Sequence, residues 1–298
     1  MDIRVLRYFL AIAREGSITS AAGSLHVTQP TLSRQIKELE EELGQQLFIR
    51  KSRTMALTRE GMILRKRAEE IVAMVDKTEA EFSAMETAVA GDIYIGGGET
   101  QAIGLIAEVV SAMRDAYPDI RFHLYSGNDA DVTERLDKGL LDFGILIQPA
   151  DLSKYDYLNL PARDRWGVIM RKDSPLAAKA TIEKSDLLDL PLICSRQAIA
   201  PHHSGNEFAD WFGNDFDRLN IVCTFNLVFN ATIMVEAGVG YALGLDGLAN
   251  TAPDSALCFR PLAPQLESGL AIVWKKYPVF SDAAELFLDS LRAQISGS

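Results

Sequence analysis

Three cysteines in 298 residues, Cys194, Cys223 and Cys258, are too few and too scattered to staple a fold or to show metal-ligand spacing. They suit a reducing compartment and read as small buried thiols rather than as a redox pair. No hydrophobic run approaches the ~20 residues of a membrane span, and no charged-then-apolar leader precedes the first helical pattern, so a cytoplasmic chain is expected. The marks of catalysis are also missing. GGGETQ lacks the Lys-Ser/Thr of a phosphate loop and the G-x-G-x-x-G spacing, no G-x-S-x-G occurs, and Cys194 has no evident histidine base. His203 and Glu207 could lie one helical turn apart, but two possible ligands make poor grounds for a metal. The sequence offers no catalytic residues and no cofactor.

The chain also lacks positive charge, with a net −11 that at first argues against a nucleic-acid partner. The distribution reverses that argument. Residues 1–67 carry twelve Lys and Arg against seven Asp and Glu, and the remainder eighteen against thirty-four. A basic front on an acidic body suits a small DNA-binding module joined to a larger sensor.

Residues 17–50 are the most informative stretch. Ile18, Ala21, Ala22 and Leu25 share one helical face after a good N-cap, Ser17. After a break at His26-Val27, Thr28 caps a second helix with Pro30 in its first turn. Leu32, Ile36, Leu39 and Leu43 form its buried stripe, Gly44 ends it, and Gln29, Thr31, Ser33, Arg34 and Lys37 are left as its polar groups. Two short helices, with Gln, Ser, Arg and Lys near the start of the second, describe a helix-turn-helix whose second helix enters a major groove. A solvated helical hairpin is the plainer alternative. A first helix spans 3–15, with Leu6, Phe9, Leu10 and Ala13 inward. Beyond the hairpin, Arg50, Lys51 and Arg53 fall in the turn of a β-hairpin wing, where basic groups can meet phosphates or a narrow minor groove.

Thr58 then caps a long helix running to about Val89. Leu64, Ala68, Ile71, Val75, Thr78, Phe82, Met85 and Val89 repeat at the spacing of a coiled-coil seam, which favours pairing with a second copy over lying on its own domain. Two paired copies would present two recognition helices, so the operator should be an imperfect palindrome.

The stretch LRYFLAIAREGSITSAAGSLHVTQPTLSRQIKELEEELGQQLFIR resembles the DNA-binding end of LysR-type transcriptional regulators. It carries F-x-x-I-A-x-x-G-S-I-T-x-A-A, L-x-V-T-Q-P-T-L-S-R-Q-I and L-E-x-x-L-G-x-x-L-F-x-R without a gap over about fifty residues. The resemblance implies a winged helix-turn-helix domain (1–58) with Ser17, Thr28, Gln29, Pro30, Thr31, Ser33, Arg34, Lys37, Arg50 and Arg53 toward DNA. It also implies a linker helix (59–90) that joins two subunits, a dimer of dimers, DNA bending and access for RNA polymerase.

From Ala90-Gly91 the pattern changes to alternating strands and helices: strands at 92–98, 119–127 and 141–147, helices at 104–118 and 131–139. Alternation resumes at Trp166, with strands WGVIMR, PLICS, NIVCTFN, YALGL, LCFRPL and GLAIVWKK. The intervening helices fall near 183–189, 204–213 and 229–237, and a last one runs from Ser281 to about Ile295. This half (91–298) resembles the family's effector domain, similar in fold to periplasmic solute-binding proteins. That implies an α/β lobe at 92–163 plus 269–298, another at 164–268, and a ligand cleft between them.

Ligands of such sheets sit beyond the carboxyl ends of strands. The rule nominates Thr100, Gln101, Ser126, Asn128, Ile147, Gln148, Ser195, Arg196, Phe225 and Asn226 as effector contacts; ordinary capping or loop polarity is the plainer reading of each. Thr100 also corresponds to a position the family uses for effector contact. Thr100 and Gln101 open a helix whose free N–H groups suit an anionic metabolite, and Arg196 could pair with one or with a neighbouring acid. Two rivals remain. A solute-binding transport protein has no use for residues 1–89, and an enzyme carrying a DNA-binding head would need an acid/base set that is not evident.

Overall fold

The computed structural model of the protein describes residues 1–50, 54–84, 90–199 and 207–297. It divides into two compact units, Met1–Ser83 and Ala84–Ser298.

In the first unit, α1 (Ile3–Glu15), α2 (Ile18–Ser24) and α3 (Gln29–Leu43) precede a wing of β1 (Phe48–Arg50) and β2 (Met55–Leu57), then α4 (Arg59–Ala84). Each boundary has a local cause. The Asp2 side chain accepts from Arg4 N–H to start α1, and Gly16 and Gly44 close α1 and α3 in the left-handed conformation. The Ser17 hydroxyl accepts from Ser20 N–H to start α2. Thr58 Oγ1 accepts from Gly61 N–H at 2.9 Å and donates to Gln46 O at 2.7 Å, anchoring α4 to the turn before the wing. Leu6, Phe9, Ile12, Ala21, Ala22, Leu32, Ile36, Leu39 and Leu47 form one buried core. The small Ala21 and Ala22 let the helices of the hairpin approach closely.

α4 uses part of its expected seam within this unit. Ala68 is fully buried in the same core and Leu64 packs against it, with Val72 one turn on. Ile71 and Phe82 stay exposed, Phe82 at 66 %, together with Met62 and Ile63. Val75 is half-buried and Thr78 exposed. Met85 and Val89 lie outside the described residues.

The second unit alternates strand and helix: β3 (Gly91–Gly97), α5 (Ile103–Ala116), β4 (Ile120–Ser126), α6 (Asp129–Asp137) and β5 (Phe143–Ile147). β6 (Tyr155–Arg171) follows, then β7 (Ile182–Glu183), β8 (Leu192–Ser195), α7 (Glu207–Phe212), β9 (Ile221–Phe225), α8 (Val228–Glu236), β10 (Tyr241–Leu245), β11 (Leu257–Ala263), β12 (Glu267–Lys275) and α9 (Asp282–Gly297). The helix expected near 183–189 is only a 3-10 turn at Lys184–Asp186. That expected near 204–213 is α7 followed by a 3-10 stretch, Gly213–Arg218.

The strand order is β4-β3-β5-β12-β6-β10-β8-β9, with β11 also on β6. β3 pairs parallel with β4 and β5, and β8 pairs parallel with β9 and β10. β12 and β6 run antiparallel to each other and to their neighbours. One lobe is cored by Ile93, Ile95, Phe143, Ile272 and Phe287 beneath α5 and α9, and the other by Val168, Leu192, Leu243, Phe208 and Phe212. β6 belongs to both. Its first eleven residues pair with β12, and its last six pair with β10 and β11.

Candidate nucleic-acid interface and effector cleft

The stripe Leu32, Ile36 and Leu39 is buried, which turns the opposite side of α3 outward. Gln29, Pro30, Arg34 and Lys37 are exposed there with Thr28, while Thr31, Ser33 and Ser17 are half-buried. Thr28 bonds no backbone N–H of the helix; its hydroxyl lies 2.8 Å from that of Thr31. Arg34 and Lys37 touch Glu38 at 3.7 Å and Glu41 at 3.3 Å, exposed i,i+4 pairs worth a few tenths of a kcal/mol. Both cations can therefore exchange these partners for a phosphate or a base edge at little cost.

The wing pairs Phe48 with Leu57 and Arg50 with Met55. Lys51 and Arg53 lie outside the described residues, as does the side chain of Arg50. Sequence reasoning misses Glu40, on the back of α3. Its carboxylate accepts from Leu47 N–H at 2.7 Å and Phe48 N–H at 3.2 Å, and so fixes the wing to the recognition helix. Met55 N–H, bonded to Gly16 O at 2.8 Å, fixes it to α1. A carboxylate seven residues from its donor has no periodic signature.

In the second unit, the C-terminal ends of β3, β5, β8, β9 and β10 converge on an interlobe cleft. Six of the ten expected residues line it: Asn128, Ile147, Gln148, Ser195, Phe225 and Asn226. Thr100, Gln101 and Ser126 line an adjoining recess that shares Gly98, Glu99, Val228 and Leu248 with the cleft. Arg196 is not brought there. It lines a neighbouring depression, which shares Asn128 and Gln197 with the cleft, together with Asp129, Asp137, Asp151 and Lys154.

The structure adds Glu99, Trp166, Gln197, Glu207, Phe208 and Ser268 to the cleft wall. Trp166 and Ser268 stand on the two antiparallel strands, where the indole N–H donates to Ser268 Oγ at 2.9 Å. Their approach depends on the β6–β12 register, which no single segment reveals. Glu99 was within reach of the strand-end rule, being the residue before Thr100.

Thr100 is 4 % exposed, and its hydroxyl is already engaged. It accepts from Ala102 N–H at 3.0 Å and bonds the carboxyl of Asp164. Burial pushes the Asp164 carboxyl up, against the lowering effect of Thr100, and its Oδ2 has no partner among the described residues. Glu99 reaches across the cleft to accept the N–H of Val228, the first residue of α8. The N-cap of that helix is Leu227, whose side chain can accept nothing, so the cap comes from the other lobe. Gln101 Nε2 likewise crosses to Gly247 O at 2.6 Å.

Asp129, beside the cleft, is raised to about 7 by burial despite hydrogen bonds from Gln197 and the Ile147 backbone. Burial alone pushes the Cys194 thiol to about 12, consistent with an inert core thiol. Among the described residues no group of His, Cys, Asp and Glu could hold a metal, and no helix is long and apolar enough to cross a membrane. His202 and His203 lie outside the described residues.

Comparison with known proteins agrees with both halves. Residues 3–62 match the bacterial regulatory helix-turn-helix protein, lysR family, and residues 87–296 match the LysR substrate binding domain. The HTH-type transcriptional regulator BsdA of Bacillus subtilis is 33% identical over 250 residues, covering 82% of this chain and 83% of that protein. The Hca operon transcriptional activator HcaR of Escherichia coli is 29% identical, over 93% of this chain and 92% of its own. The crystal structure of full-length CbnR complexed with its target DNA shares the fold at a TM-score of 0.74 and 18% identity, over 99% of this chain and 100% of that one. These matches span both units, and the chain belongs to the LysR family of transcriptional regulators: DNA-binding, effector-responsive, oligomer-forming proteins that are not enzymes.

Proposed function

We propose that two copies of this chain grip an imperfect palindrome through Gln29, Thr31, Ser33, Arg34 and Lys37, with Ser17, Thr28 and Pro30 placing the helix against the backbone. Arg50 and Arg53 of the wing add phosphate or minor-groove contacts. The observation that carries this reading is the exposed polar face of α3 opposite its buried Leu32–Ile36–Leu39 stripe. Arg and Gln are the side chains that read guanine and adenine edges bidentately. Pairing runs through the exposed Ile71 and Phe82 of α4 with the half-buried Val75, because Leu64 and Ala68 are taken up in the head; Met85, next in the expected seam, belongs to the same pairing surface. A tetramer of two such pairs bends the operator and sets access for RNA polymerase, inside the cytoplasm.

An effector between the lobes shifts the assembly between arrangements by binding one more tightly than the other. Asn128, Ile147, Gln148, Ser195, Phe225 and Asn226 contact it, with Thr100, Gln101 and Ser126 in the adjoining recess; Arg196 acts only from outside the wall. The α5 N-terminus that suggested an anionic effector already faces a carboxylate of the protein, Asp164 through Thr100, and the α8 N-terminus faces another, Glu99.

Binding of the purified chain to DNA upstream of its own gene, titrated across salt, tests the regulator. A protected, roughly palindromic site with a steep salt slope is expected. Weak binding, indifferent to sequence at every salt, refutes the assignment of α3 as a base-reading helix.

A further inference from the structure

The charge of the cleft is one-sided. Its described wall contains two ionisable side chains, Glu99 and Glu207, and no Lys, Arg or His; the adjoining recess adds no cation. Nearby cations line the neighbouring depressions rather than the cleft itself. Arg165 pairs with Asp246, Arg163 lines a neighbouring surface pocket with Glu207, Asp210 and Glu267, and Arg196 and Lys154 sit among three aspartates. Glu207 makes no ion pair among the described residues. Glu99 spends one oxygen, Oε2, on Val228 N–H, and its Oε1 has no partner among the described residues.

A third carboxylate stands on the same side. Asp164 lies directly across from Ser268 in the β6–β12 register and two residues from Trp166, so its side chain shares their face of the sheet. Asp164 is 5 % exposed with one oxygen unpartnered. Of the three, Asp164 is buried and Glu99 half-buried, while Glu207 is exposed at the rim; buried or half-buried carboxylates without a counter-charge are costly, and a ligand bearing positive charge relieves that cost. An incoming carboxylate instead meets Glu99 at the α8 terminus, whose dipole the protein has already satisfied. The remaining wall includes Trp166, Phe208 and Phe225, whose ring faces attract a cation as well as an apolar body.

Resting on the reading of this cleft as the effector site, we infer that its effector is an organic cation, an ammonium on an apolar or aromatic body, with Glu99 and Glu207 as the charge-selecting residues. The cleft discriminates against a carboxylate of the same shape.

Three probes with one phenethyl body separate the possibilities: 2-phenylethylamine, 2-phenylethanol and 3-phenylpropionate, titrated calorimetrically into the full chain at pH 7. The amine should bind at least tenfold more tightly than the carboxylate, with the alcohol between them. Glu99→Gln keeps an oxygen for Val228 N–H while removing the charge. It should cost the amine about tenfold and leave the alcohol unchanged. Glu207→Gln, remote from the α8 cap, should act in the same direction. If the carboxylate binds as tightly as the amine, or tighter, the effector cleft stands and the inferred charge is overturned. The same holds if Glu99→Gln weakens amine and alcohol alike, which marks Glu99 as a cap and nothing more. If none of the three binds at millimolar concentration, both the charge inference and the effector reading of this cleft fail, while DNA binding remains separately measurable.

Discussion

Alanine at Gly61 sets two effects of opposite sign against each other. In a helix, Ala is favoured over Gly by about 1 kcal/mol, and on an open face that gain is realised. Gly61 is not on an open face. A Cβ there would lie 3.0 Å from Leu57 Cδ2 and 3.1 Å from Leu47 C, and closer still to the Leu47 carbonyl oxygen. That oxygen cannot easily withdraw, because it accepts from Thr58 N–H at 3.0 Å. Overpacking against fixed backbone costs about 3 kcal/mol. The net loss for Gly61→Ala is then about 2 kcal/mol, or roughly 10 °C in the melting temperature of a unit the size of Met1–Ser83. Gly23 supplies the control. It lies in α2 of the same unit with nothing within 4 Å of the point where a methyl group would sit, so Gly23→Ala should gain about 0.5–1 kcal/mol. Calorimetry of the full chain, with hydrogen exchange of α3 amides to assign the transition, reads both signs. A Gly61→Ala chain as stable as the Gly23→Ala chain would refute the close approach of α4 to the wing base. With that approach would go the rigid placement of the wing.

Three further outcomes are expected. Arg34→Ala should leave stability nearly unchanged, since its contact with Glu38 is exposed, yet cost about 1–3 kcal/mol of discrimination at one base pair in a binding-site selection assay. Equal loss on all sequences would make Arg34 a phosphate contact. Phe82→Glu should raise the dimer dissociation constant at least tenfold by sedimentation equilibrium, because burying a phenylalanine is worth about 1.5–3 kcal/mol; an unchanged constant would remove Phe82 from the pairing surface. For Asp129, burial raises the folded pKa to about 7, whereas the unfolded side chain ionises near about 3.9. Between those values the folded chain holds the extra proton, so stability from this group is full below pH ~4 and lost as pH rises through about 7. Asp129→Asn should flatten that decline in urea titrations, and an unaltered decline would show that the group ionises normally.

The DNA-binding head was legible in the sequence because its signals are local. Ser17, Gly44, Thr58 and the Leu32–Ile36–Leu39 stripe each act within one or two turns, and the structure places the helix ends where those residues put them. The α/β units were legible for the same reason, down to β3, β5 and α8. β6 was not. Its first eleven residues, YDYLNLPARDR, are polar and contain Pro161, which usually argues against an interior strand. The proline is accommodated where the register with β12 shifts, from Arg163 opposite Gly269 to Leu160 opposite Leu270. The seam of α4 was legible as a period but not as an address. Spacing alone does not say that Ala68 faces the head's own core while Phe82 faces outward. The cleft was half legible: strand ends pointed to Asn128, Ser195 and Phe225, but Trp166, Ser268 and Glu207 arrive by pairing and packing across long separations.

β6 is one uninterrupted strand of seventeen residues shared by both lobes, bonded for much of its length to β12, which runs the other way. A ribbon of two antiparallel strands hardly stretches, yet it twists and bends readily. The lobes are thus mounted on something closer to a torsion bar than to a pair of loose tethers. Sliding and separation are resisted by backbone hydrogen bonds, leaving rotation as the compliant coordinate. Whatever settles in the cleft is therefore converted into an angle, and an angle grows into a larger displacement the farther from the ribbon it is read.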